Sequence, residues 1–383
     1  MIHNCTTVIV CVMFSFFPMI AKTQTQIDSL FHDNIWRYYR IHVPAVYSPT
    51  KAVPLIINMH GLGSNGFEEE FYTRFSLISD TAGFIVVYPE GVQNAWNAGF
   101  VLGGTDDLGF ISSLIDRVAA SYSIDPASVY ATGMSNGGFM SHYLGCELAD
   151  RIAAIASVAG SMTVYVQGIC DPGRAVPVLH IHGTNDQVVP YNSGNLFYRP
   201  VETVMSLWRE NNQCQTADSV LLPDKVNEGS TVTRFDYGEC ADSSEVILYR
   251  VNNGGHTWPG ALFLLPNENT NQDIDASLEI WEFFSRHQHP NPRPFSTTAL
   301  EFEPETSFRL FPNPFQTSLN IEMSLKEETQ VEVFSVSGKC FFSTQYPQGQ
   351  EVIRLNTQEW PEGVCLVKIQ TPSGVVVCKV IKY

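Results

Sequence analysis

Apolar and polar positions alternate with two different periods between Trp36 and His289. Short runs rich in β-branched and aromatic residues, such as VPLIINM, FIVVYP and VPVLHIHG, predict buried strands. Between them, apolar residues recur at helical spacing in three segments: DDLGFISSLIDRVAASYS, VETVMSLWRENN and ASLEIWEFFSRH. A further helix is predicted across FEEEFYTRFSLISDTAG. Alternating strands and helices predict an α/β fold with a mostly parallel sheet covered by helices on both faces.

The pattern changes after this region. HQHPNPRPFSTTALEFEPETS is rich in Pro, Ser, Thr and Glu, which is typical of a linker, and we assign the linker to residues 291–306. Beyond it, only short alternating strands separated by Gly, Pro and Ser turns remain. Residues 307–383 are therefore predicted to form a small all-β sandwich.

The first residues have the pattern of a targeting segment. TTVIVCVMFSFFPMIA is apolar but too short for a comfortable membrane span, and small and polar residues follow it. We predict a signal peptide at residues 1–24, which leaves residues 25–290 for the α/β domain. No other stretch is long and apolar enough to cross a bilayer, so the sequence predicts an exported protein without a transmembrane anchor.

The charge of the chain is unevenly distributed. The formal net charge is −17, and residues 306–383 hold seven basic and seven acidic side chains, so the excess of acid lies before them. An acidic domain repels nucleic acid and anionic membranes, and we expect neither as a partner.

Cysteine usage agrees with export. Cys5 and Cys11 lie in the predicted signal peptide. Pairing the remaining cysteines that are neighbours in sequence predicts the disulfides Cys146–Cys170 and Cys214–Cys240. Three more cysteines lie near the C-terminus: Cys340, Cys365 and Cys378.

A serine between glycines is the first candidate for chemistry. Gly133-Met134-Ser135-Asn136-Gly137 lies between a predicted strand and a predicted helix, the context of a nucleophile elbow. Residues two before and two after such a serine crowd the turn, so glycine is needed there. We predict Ser135 as a nucleophile; the alternative is a structural Ser-Gly turn.

A serine nucleophile needs a base and a carboxylate that orients the base. In a sheet of this kind the chain order is Ser, then Asp or Glu, then His. Asp186 follows the strand VLHIHG, and His256 follows the strand EVILYRVNN in a glycine-rich loop. Both loops fall at carboxyl ends of strands, where ligands bind. Asp186 and His256 are the predicted partners; the alternatives are a turn-forming aspartate and a loop histidine.

The oxyanion of an ester intermediate needs two N–H donors. The start of the helix after Ser135 offers the N–H of Asn136, and the loop HGLGSNG after the strand LIINM offers the N–H of Leu62. His180 and His182 face one way on a strand, where they could hold a metal, but no third and fourth ligands lie at metal spacing. We therefore interpret them as packed core histidines beneath Asp186, and predict neither metal nor cofactor.

The motifs together resemble a known family. The chain is similar to secreted α/β-hydrolase esterases of the polyhydroxybutyrate depolymerase and feruloyl esterase type. The similarity lies in six segments, in this order: HGLGSN, YPEGVQNAWNAGF, DDLGFISSLID, YATGMSNGGFMSHYLGCELAD, HIHGTNDQVVPY and GGHTWPG. The resemblance implies the same roles for Ser135, Asp186 and His256, and implies Trp96, Asn97 and Trp258 near the substrate. The alternative for Trp96 and Asn97 is plain packing. Many relatives follow "WN" with paired cysteines, which Ala98-Gly99-Phe100-Val101 replace here.

The tail has its own resemblance. The tail is similar to the C-terminal sorting domain of the type IX secretion system, through the segments LFPNPF, LNIEMS, VEVFSVSGK and GVCLVKIQTPSGVVVCKVIKY. This implies passage through the periplasm to the cell surface or the medium, with the type IX machinery as a partner. The alternative is a carbohydrate-binding sandwich, but such modules display rows of exposed aromatics, and Trp360 stands alone among scattered Phe and Tyr.

The sequence thus predicts a secreted serine carboxylester hydrolase that acts through an acyl-enzyme. The expected substrates are feruloyl or acetyl esters of plant polysaccharide, with a hydroxyalkanoate polyester as the alternative. Two further alternatives are a non-catalytic polysaccharide-binding protein, against which the intact Ser135, Asp186 and His256 argue, and a serine peptidase of the same fold.

Overall fold

The structure is a computed structural model in which the chain divides into two compact units, Met1–Thr297 and Thr298–Tyr383. The predicted signal peptide, residues 1–24, lies outside the described residues apart from Gln24, and the predicted linker, 291–306, is described only as far as Ser296. The described residues are 24–263, 267–296, 308–312, 315–323, 328–335, 339–350, 352–371 and 374–382.

The first unit is built from strands that alternate with helices along most of its length. Its strands are β1 (Gln24–His32), β2 (Ile35–Val43), β3 (Val53–Met59), β4 (Ile85–Pro89), β5 (Ile124–Met134), β6 (Ala154–Val158), β7 (Val178–Gly183), β8 (Thr216–Leu221), β9 (Thr231–Gly238) and β10 (Val246–Asn252). Its helices are α1 (Gly66–Thr73), α2 (Phe75–Ala82), α3 (Asp107–Ser121), α4 (Asn136–Glu147), α5 (Val164–Ile169), α6 (Val201–Asn211) and α7 (Ala276–Phe284).

All the strands of this unit form one sheet in the order β1-β2-β4-β3-β5-β6-β7-β10-β9-β8. The central strands, from β4 to β10 in this order, are parallel to their neighbours, whereas β1, β2, β9 and β8 pair antiparallel at the two edges. The mostly parallel sheet predicted from the alternating pattern is confirmed. In such a sheet the loops after β3, β5, β7 and β10 meet at one edge.

Helices cover both faces of the sheet, as predicted. Alternate residues of β3 belong to different buried clusters: Leu55 and Ile57 pack with α3, α4 and α6, while Ile56 packs on the other face with α2 and α7. The side-chain period of two along a strand produces this division. The parallel strands are therefore buried on both sides, which fixes the positions of the loops at their ends.

Three features of this unit differ from the sequence pattern. The single helix predicted across FEEEFYTRFSLISDTAG is two helices, because Arg74 adopts a left-handed conformation (φ 58°) that ends α1 and begins α2. Strand β1 pairs with β2 along its whole length, and the hairpin of β8 and β9 extends the other edge. β1, β8 and β9 have no clear apolar period, and β8 is exposed at every position.

Both predicted disulfides are present. Cys146–Cys170 joins the end of α4 to the residue after α5, and Cys214–Cys240 joins the segments that flank the β8–β9 hairpin.

The second unit contains only strands among its described residues, as predicted. Alternating side chains from both of its sheets, such as Leu319 and Ile321 of one and Val331 and Val333 of the other, form one buried cluster, so the unit is a small sandwich. Cys340 and Cys365 are free thiols, and the side chain of Cys378 lies outside the described residues. One sheet contains β11 (Phe308–Phe311), β12 (Ser318–Met323) and β15 (Val352–Asn356), and the other contains β13 (Thr329–Ser335), β14 (Cys340–Tyr346), β16 (Gly363–Thr371) and β17 (Gly374–Lys382).

No helix within the described ranges is both long enough and apolar enough to span a bilayer.

Candidate active site

Ser135 occupies a strained turn between β5 and α4. Its backbone has φ 53° and ψ −117°, a combination that side-chain-bearing residues rarely adopt. A Cβ at Gly133 would lie 2.4 Å from the carbonyl oxygen of Met59, and one at Gly137 would lie 1.9 Å from the same atom. Both glycines are therefore required by the backbone of β3, as the elbow hypothesis predicts.

The turn places Ser135 at the first residue before a helix. The N–H of Asn136 belongs to the first turn of α4, where backbone donors have no partner within the helix and the helix dipole favours negative charge. Leu62, the other predicted donor, lies in the loop after β3 and is 72% exposed. Both residues line the same cavity as Ser135.

His256 and Asp186 form a close pair at the ends of β10 and β7. His256 Nδ1 lies 2.7 Å from Oδ2 of Asp186, and the backbone N–H of His256 donates to Glu268 at 2.7 Å. The other carboxylate oxygen of Asp186 accepts from the backbone N–H groups of Val188 and Val189, each at 2.8 Å. The carboxylate is thus fixed against rotation.

Asp186 is buried but remains charged. Burial alone raises the pKa of a carboxyl group, yet the hydrogen bonds from His182 and His256 outweigh it and hold the pKa of Asp186 below its ordinary value. A carboxylate that stays ionised accepts a hydrogen bond from the Nδ1–H of His256, which keeps the proton on Nδ1 and leaves Nε2 of that ring free to take a proton.

His60 fixes the loop that carries Leu62. Its Nδ1–H donates to the carbonyl of Gly61 at 2.7 Å, and its Nε2 accepts from the N–H of Gly91 at 3.0 Å. This pairing needs the neutral ring, and burial lowers the pKa of His60 in agreement with it. The loop is therefore held by a residue that sequence reasoning did not single out.

Trp96 connects the two sides of the predicted oxyanion hole. Its indole N–H donates to the carbonyl of His60 at 3.0 Å, while its backbone N–H donates to Oδ1 of Asn136 at 2.6 Å. The side-chain amide of Asn136 donates back to the carbonyl of Trp96 at 3.0 Å. Trp96 therefore orders both N–H donors as well as lining the cavity.

Asn97 uses its polar atoms within its own loop. Its amide group donates to the carbonyl of Thr105 at 3.2 Å and accepts from the N–H of Val101 at 3.1 Å, while its backbone N–H donates to Asp107 at 2.7 Å. Asn97 lines the cavity, where it shapes the wall formed by the loop.

Trp258 does not line the cavity, in contrast to the role implied by the family resemblance. It is only 1% exposed, packs edge-on against Phe75 and donates its indole N–H to Ser277 at 3.0 Å. Its ring faces the core between α2 and α7 because that is where its one donor finds an acceptor. Trp258 is therefore a core residue and not part of the cavity wall.

The cavity itself holds about 720 Å³ and has a mostly apolar wall. Its wall includes all but two of the predicted site residues: Leu62, Trp96, Asn97, Ser135, Asn136 and His256. Phe139 packs against Phe100 and Tyr198, with ring centroids 5.1 and 5.7 Å apart, to form an aromatic side of the wall. The remaining aliphatic side chains of the wall are those of Val92, Ala95, Val101, Val188 and Val189.

His180 and His182 are buried and hydrogen-bonded beneath Asp186, as predicted. Within the part of the chain that the structure describes, no group of three or more His, Cys, Asp or Glu side chains is arranged to hold a metal ion. His142, on α4, extends the same histidine row, although the sequence pattern gave no sign of it.

Taken together, the sheet order, the strained serine after β5 and the His-Asp pair define an α/β-hydrolase fold with the residues of a serine hydrolase. Residues 105–219 match the phospholipase/carboxylesterase family, and residues 309–383 match the secretion system C-terminal sorting domain. An acetyl xylan esterase from Aspergillus awamori has the same fold, with a TM-score of 0.50 and 15% identity over 68% of this chain and 99% of that chain.

Curated relatives place the chain more closely. A probable feruloyl esterase C from Aspergillus terreus is 32% identical and is covered over 84% of its length by 65% of this chain. Feruloyl esterase C from Emericella nidulans is 31% identical, with 65% of this chain covering 83% of that protein. The chain belongs to this feruloyl esterase family.

Other relatives are longer than the matched region. A bifunctional acetylxylan esterase/xylanase from Neocallimastix patriciarum is 29% identical over 64% of this chain, and the match spans 33% of that protein. Feruloyl esterase B from Piromyces equi is 30% identical over 56% of this chain, and the match spans 42% of that protein. The sorting domain at 309–383 makes the protein a secreted or cell-surface one, which confirms the predicted location.

Proposed function

We propose that this protein is a secreted serine carboxylester hydrolase that cleaves feruloyl esters of plant polysaccharide through an acyl-enzyme. The observation that carries the proposal is the large apolar cavity beside Ser135 and His256. An acetyl group occupies little of a space of about 720 Å³, whereas an aromatic acyl group has a flat apolar ring to bury against Phe139 and its neighbours. Family membership supports the same choice.

The geometry supports the following roles for the residues around the cavity. Ser135 Oγ attacks the ester carbonyl carbon while Nε2 of His256 takes the hydroxyl proton, and the N–H groups of Leu62 and Asn136 bind the oxyanion. The C–O bond to the sugar breaks, and His256 returns the proton to the leaving alcohol. Water then attacks the acyl carbon of the acyl-enzyme, and its proton passes to Nε2 of His256. The bond between the acyl carbon and Ser135 Oγ breaks, His256 returns the proton to Oγ, and the carboxylic acid is released. Asp186 keeps His256 in the tautomer that both steps need.

Acetyl esters of xylan are the second candidate, supported by the similarity to the acetylxylan esterase/xylanase. A bound acetyl group would leave most of the apolar wall in contact with water. We therefore expect a lower kcat/KM on acetyl esters than on feruloyl esters. The C-terminal unit acts separately in this proposal, as the part that the type IX secretion machinery recognises.

The nucleophile is tested first. Ser135→Ala is expected to lose about three orders of magnitude or more in the hydrolysis of p-nitrophenyl acetate, because covalent catalysis is removed and oxyanion binding alone remains. Ser121→Ala, on the exposed end of α3, is the matched control and should behave as wild type. A fluorophosphonate probe should label Ser135; a label elsewhere, or an active Ser135→Ala variant, contradicts the assignment.

The acyl group is tested with methyl ferulate, acetylated xylan and polyhydroxybutyrate, for which kcat/KM should be highest on methyl ferulate. Val101→Trp fills the cavity from its exposed loop and should lower kcat/KM on methyl ferulate by about tenfold or more while sparing p-nitrophenyl acetate. Val220→Trp, on the edge strand β8, is the control. Equal losses on both esters, or preference for acetylated xylan or the polyester, contradict an aromatic acyl site.

A further inference from the structure

A row of three buried imidazoles runs behind the carboxylate of Asp186. His142 lies on α4, and His180 and His182 lie on β7; each is at most 1% exposed. Nε2 of His142 lies 3.2 Å from Nδ1 of His180, and Nε2 of His180 lies 3.1 Å from Nδ1 of His182. Nε2 of His182 lies 2.7 Å from the carbonyl of Val189 and 3.3 Å from Oδ2 of Asp186. The row therefore ends on the oxygen that His256 also contacts.

Trp208, on α6, fixes the direction of the row at its first end. An indole N–H can only donate, and it lies 3.0 Å from Nδ1 of His142. Nδ1 of His142 must then be unprotonated, so its proton is on Nε2 and is donated to Nδ1 of His180. By the same step, His180 carries its proton on Nε2 and donates it to His182.

The far end imposes the same direction independently. The carbonyl of Val189 and the carboxylate of Asp186 only accept, so His182 must carry a proton on Nε2. Its Nδ1 then accepts from His180. A reversed row would place two donors face to face at Trp208 and two acceptors face to face at Val189.

Each ring is neutral in this arrangement, because a second proton on any of them would oppose a neighbouring donor. Burial agrees with it: it lowers the pKa of His142 to about 3 and the pKa of His180 well below its ordinary value. The whole row therefore presents one N–H, that of His182, to the carbonyl of Val189 and the carboxylate of Asp186.

We propose that Trp208, His142, His180 and His182 form a one-way hydrogen-bond relay that positions the carboxylate of Asp186 for His256. The relay supplies one N–H near Oδ2, His256 supplies another, and the backbone N–H groups of Val188 and Val189 occupy Oδ1. These are positioning residues, because they touch neither substrate nor the reacting atoms. The inference rests on the proposed function, in which Asp186 orients His256.

The wild-type full-length chain gives the first test. With selectively ¹⁵N-labelled histidine, long-range ¹H–¹⁵N spectra at neutral pH should show His142, His180 and His182 all unprotonated at Nδ1 and protonated at Nε2. A proton on Nδ1 of any of the three, or a cationic ring, overturns the relay. This measurement needs no variant to fold and no assay of activity.

Variants of His182 separate positioning from packing. His182→Leu removes the N–H that faces Asp186 and is expected to lower kcat by about 10- to 100-fold with KM within about twofold, because His256 loses its fixed partner. His182→Gln keeps an amide N–H at a similar reach and should recover most of kcat. His289→Gln, at a buried histidine that donates to Ala149, is the matched control and should keep wild-type kcat.

A second pair of variants tests the far end. Trp208→Phe keeps the ring but removes the donor, so the spectra should show a second tautomer of His142, and the low-field Nδ1–H signal of His256 should broaden or move. Trp281→Phe, on α7 across the sheet, should change neither. Unchanged signals in Trp208→Phe, or equal kcat in His182→Leu and His182→Gln, overturn the relay. Absence of fluorophosphonate labelling at Ser135 of wild type would instead refute the proposed function and leave the tautomer result unaffected.

Discussion

The buried histidines make the stability of this protein depend on pH. His142 and His180 are neutral in the folded chain, and burial lowers the pKa of His142 from 6.5 to about 3. The unfolded chain binds these protons more readily, so the contribution of these histidines to the free energy of unfolding is fully present above pH 6.5 and decreases as the pH falls from 6.5 towards about 3. His142 contributes a slope of about 1.4 kcal/mol per pH unit in that window.

Urea unfolding followed by tryptophan fluorescence across this window measures the slope. His142→Gln removes one of the titrating groups, so its slope should be smaller than that of wild type by about 1.4 kcal/mol per pH unit. Parallel slopes for the two proteins would contradict a neutral, buried His142 in the folded state.

At the scale of single residues, the sequence predicted those candidates whose chemistry depends on local spacing and chain order. Ser135 was predicted from its flanking glycines, and Asp186 and His256 from their places after strands. Trp258 and His142 could not be predicted in the same way, because their roles depend on which distant side chains face them. Trp258 faces the core, where its indole N–H donates to Ser277. His142 belongs to the histidine row, where its Nδ1 accepts from the indole N–H of Trp208.

Among the elements, the strand-turn-helix around Ser135 is the one with the least freedom. A Cβ at Gly137 would overlap the carbonyl of Met59, which is backbone of β3 and cannot move aside as a side chain can. Gly137→Ala is therefore expected to destabilise the protein by about 1–3 kcal/mol and to displace Ser135 enough to abolish most ester hydrolysis.

Gly168→Ala is the matched control for this prediction. A Cβ there meets no atom within 4 Å, and the residue lies in α5, where alanine is the better helix former. Thermal unfolding and p-nitrophenyl acetate hydrolysis should be unchanged or slightly improved in Gly168→Ala. If Gly137→Ala matches it in both, β3 does not constrain the turn as the geometry requires.

Most strands and helices with a buried face were predicted, whereas the edge strands β1, β8 and β9 were not. β3, β5 and β7 lie between two cores, so selection for apolar side chains produces a clear sequence pattern. β8 has no buried position, and its pairing with β9 comes from backbone hydrogen bonds, which leave no trace in the residue pattern. The break between α1 and α2 also depends on one backbone conformation, at Arg74, which a periodic pattern does not report.

For the whole molecule, the two units have separate cores. The buried cluster of the sandwich contains only its own residues, and the candidate active site lies entirely in the first unit. Units of this kind fold independently when a linker joins them. A chain that ends after Thr297 is therefore expected to remain soluble and to keep kcat/KM on small esters within about twofold of the full-length protein.

The same truncation should change where the enzyme goes. The unit that matches a secretion sorting domain is lost, so in a bacterium with a type IX secretion system the shortened enzyme should accumulate in the periplasm, whereas the full-length protein should reach the surface or the medium. Fractionation followed by p-nitrophenyl acetate assay of each compartment measures this, and Ser135→Ala in the full-length chain shows whether export depends on activity. A truncated enzyme that still crosses the outer membrane refutes sorting. If export of the truncated enzyme is intact but its binding to insoluble polysaccharide falls, the sandwich is instead a carbohydrate-binding module. The few aromatic side chains around Trp360 must then contact sugar. Trp360→Ala in the full-length chain provides the direct check, because it should then lower binding to insoluble polysaccharide.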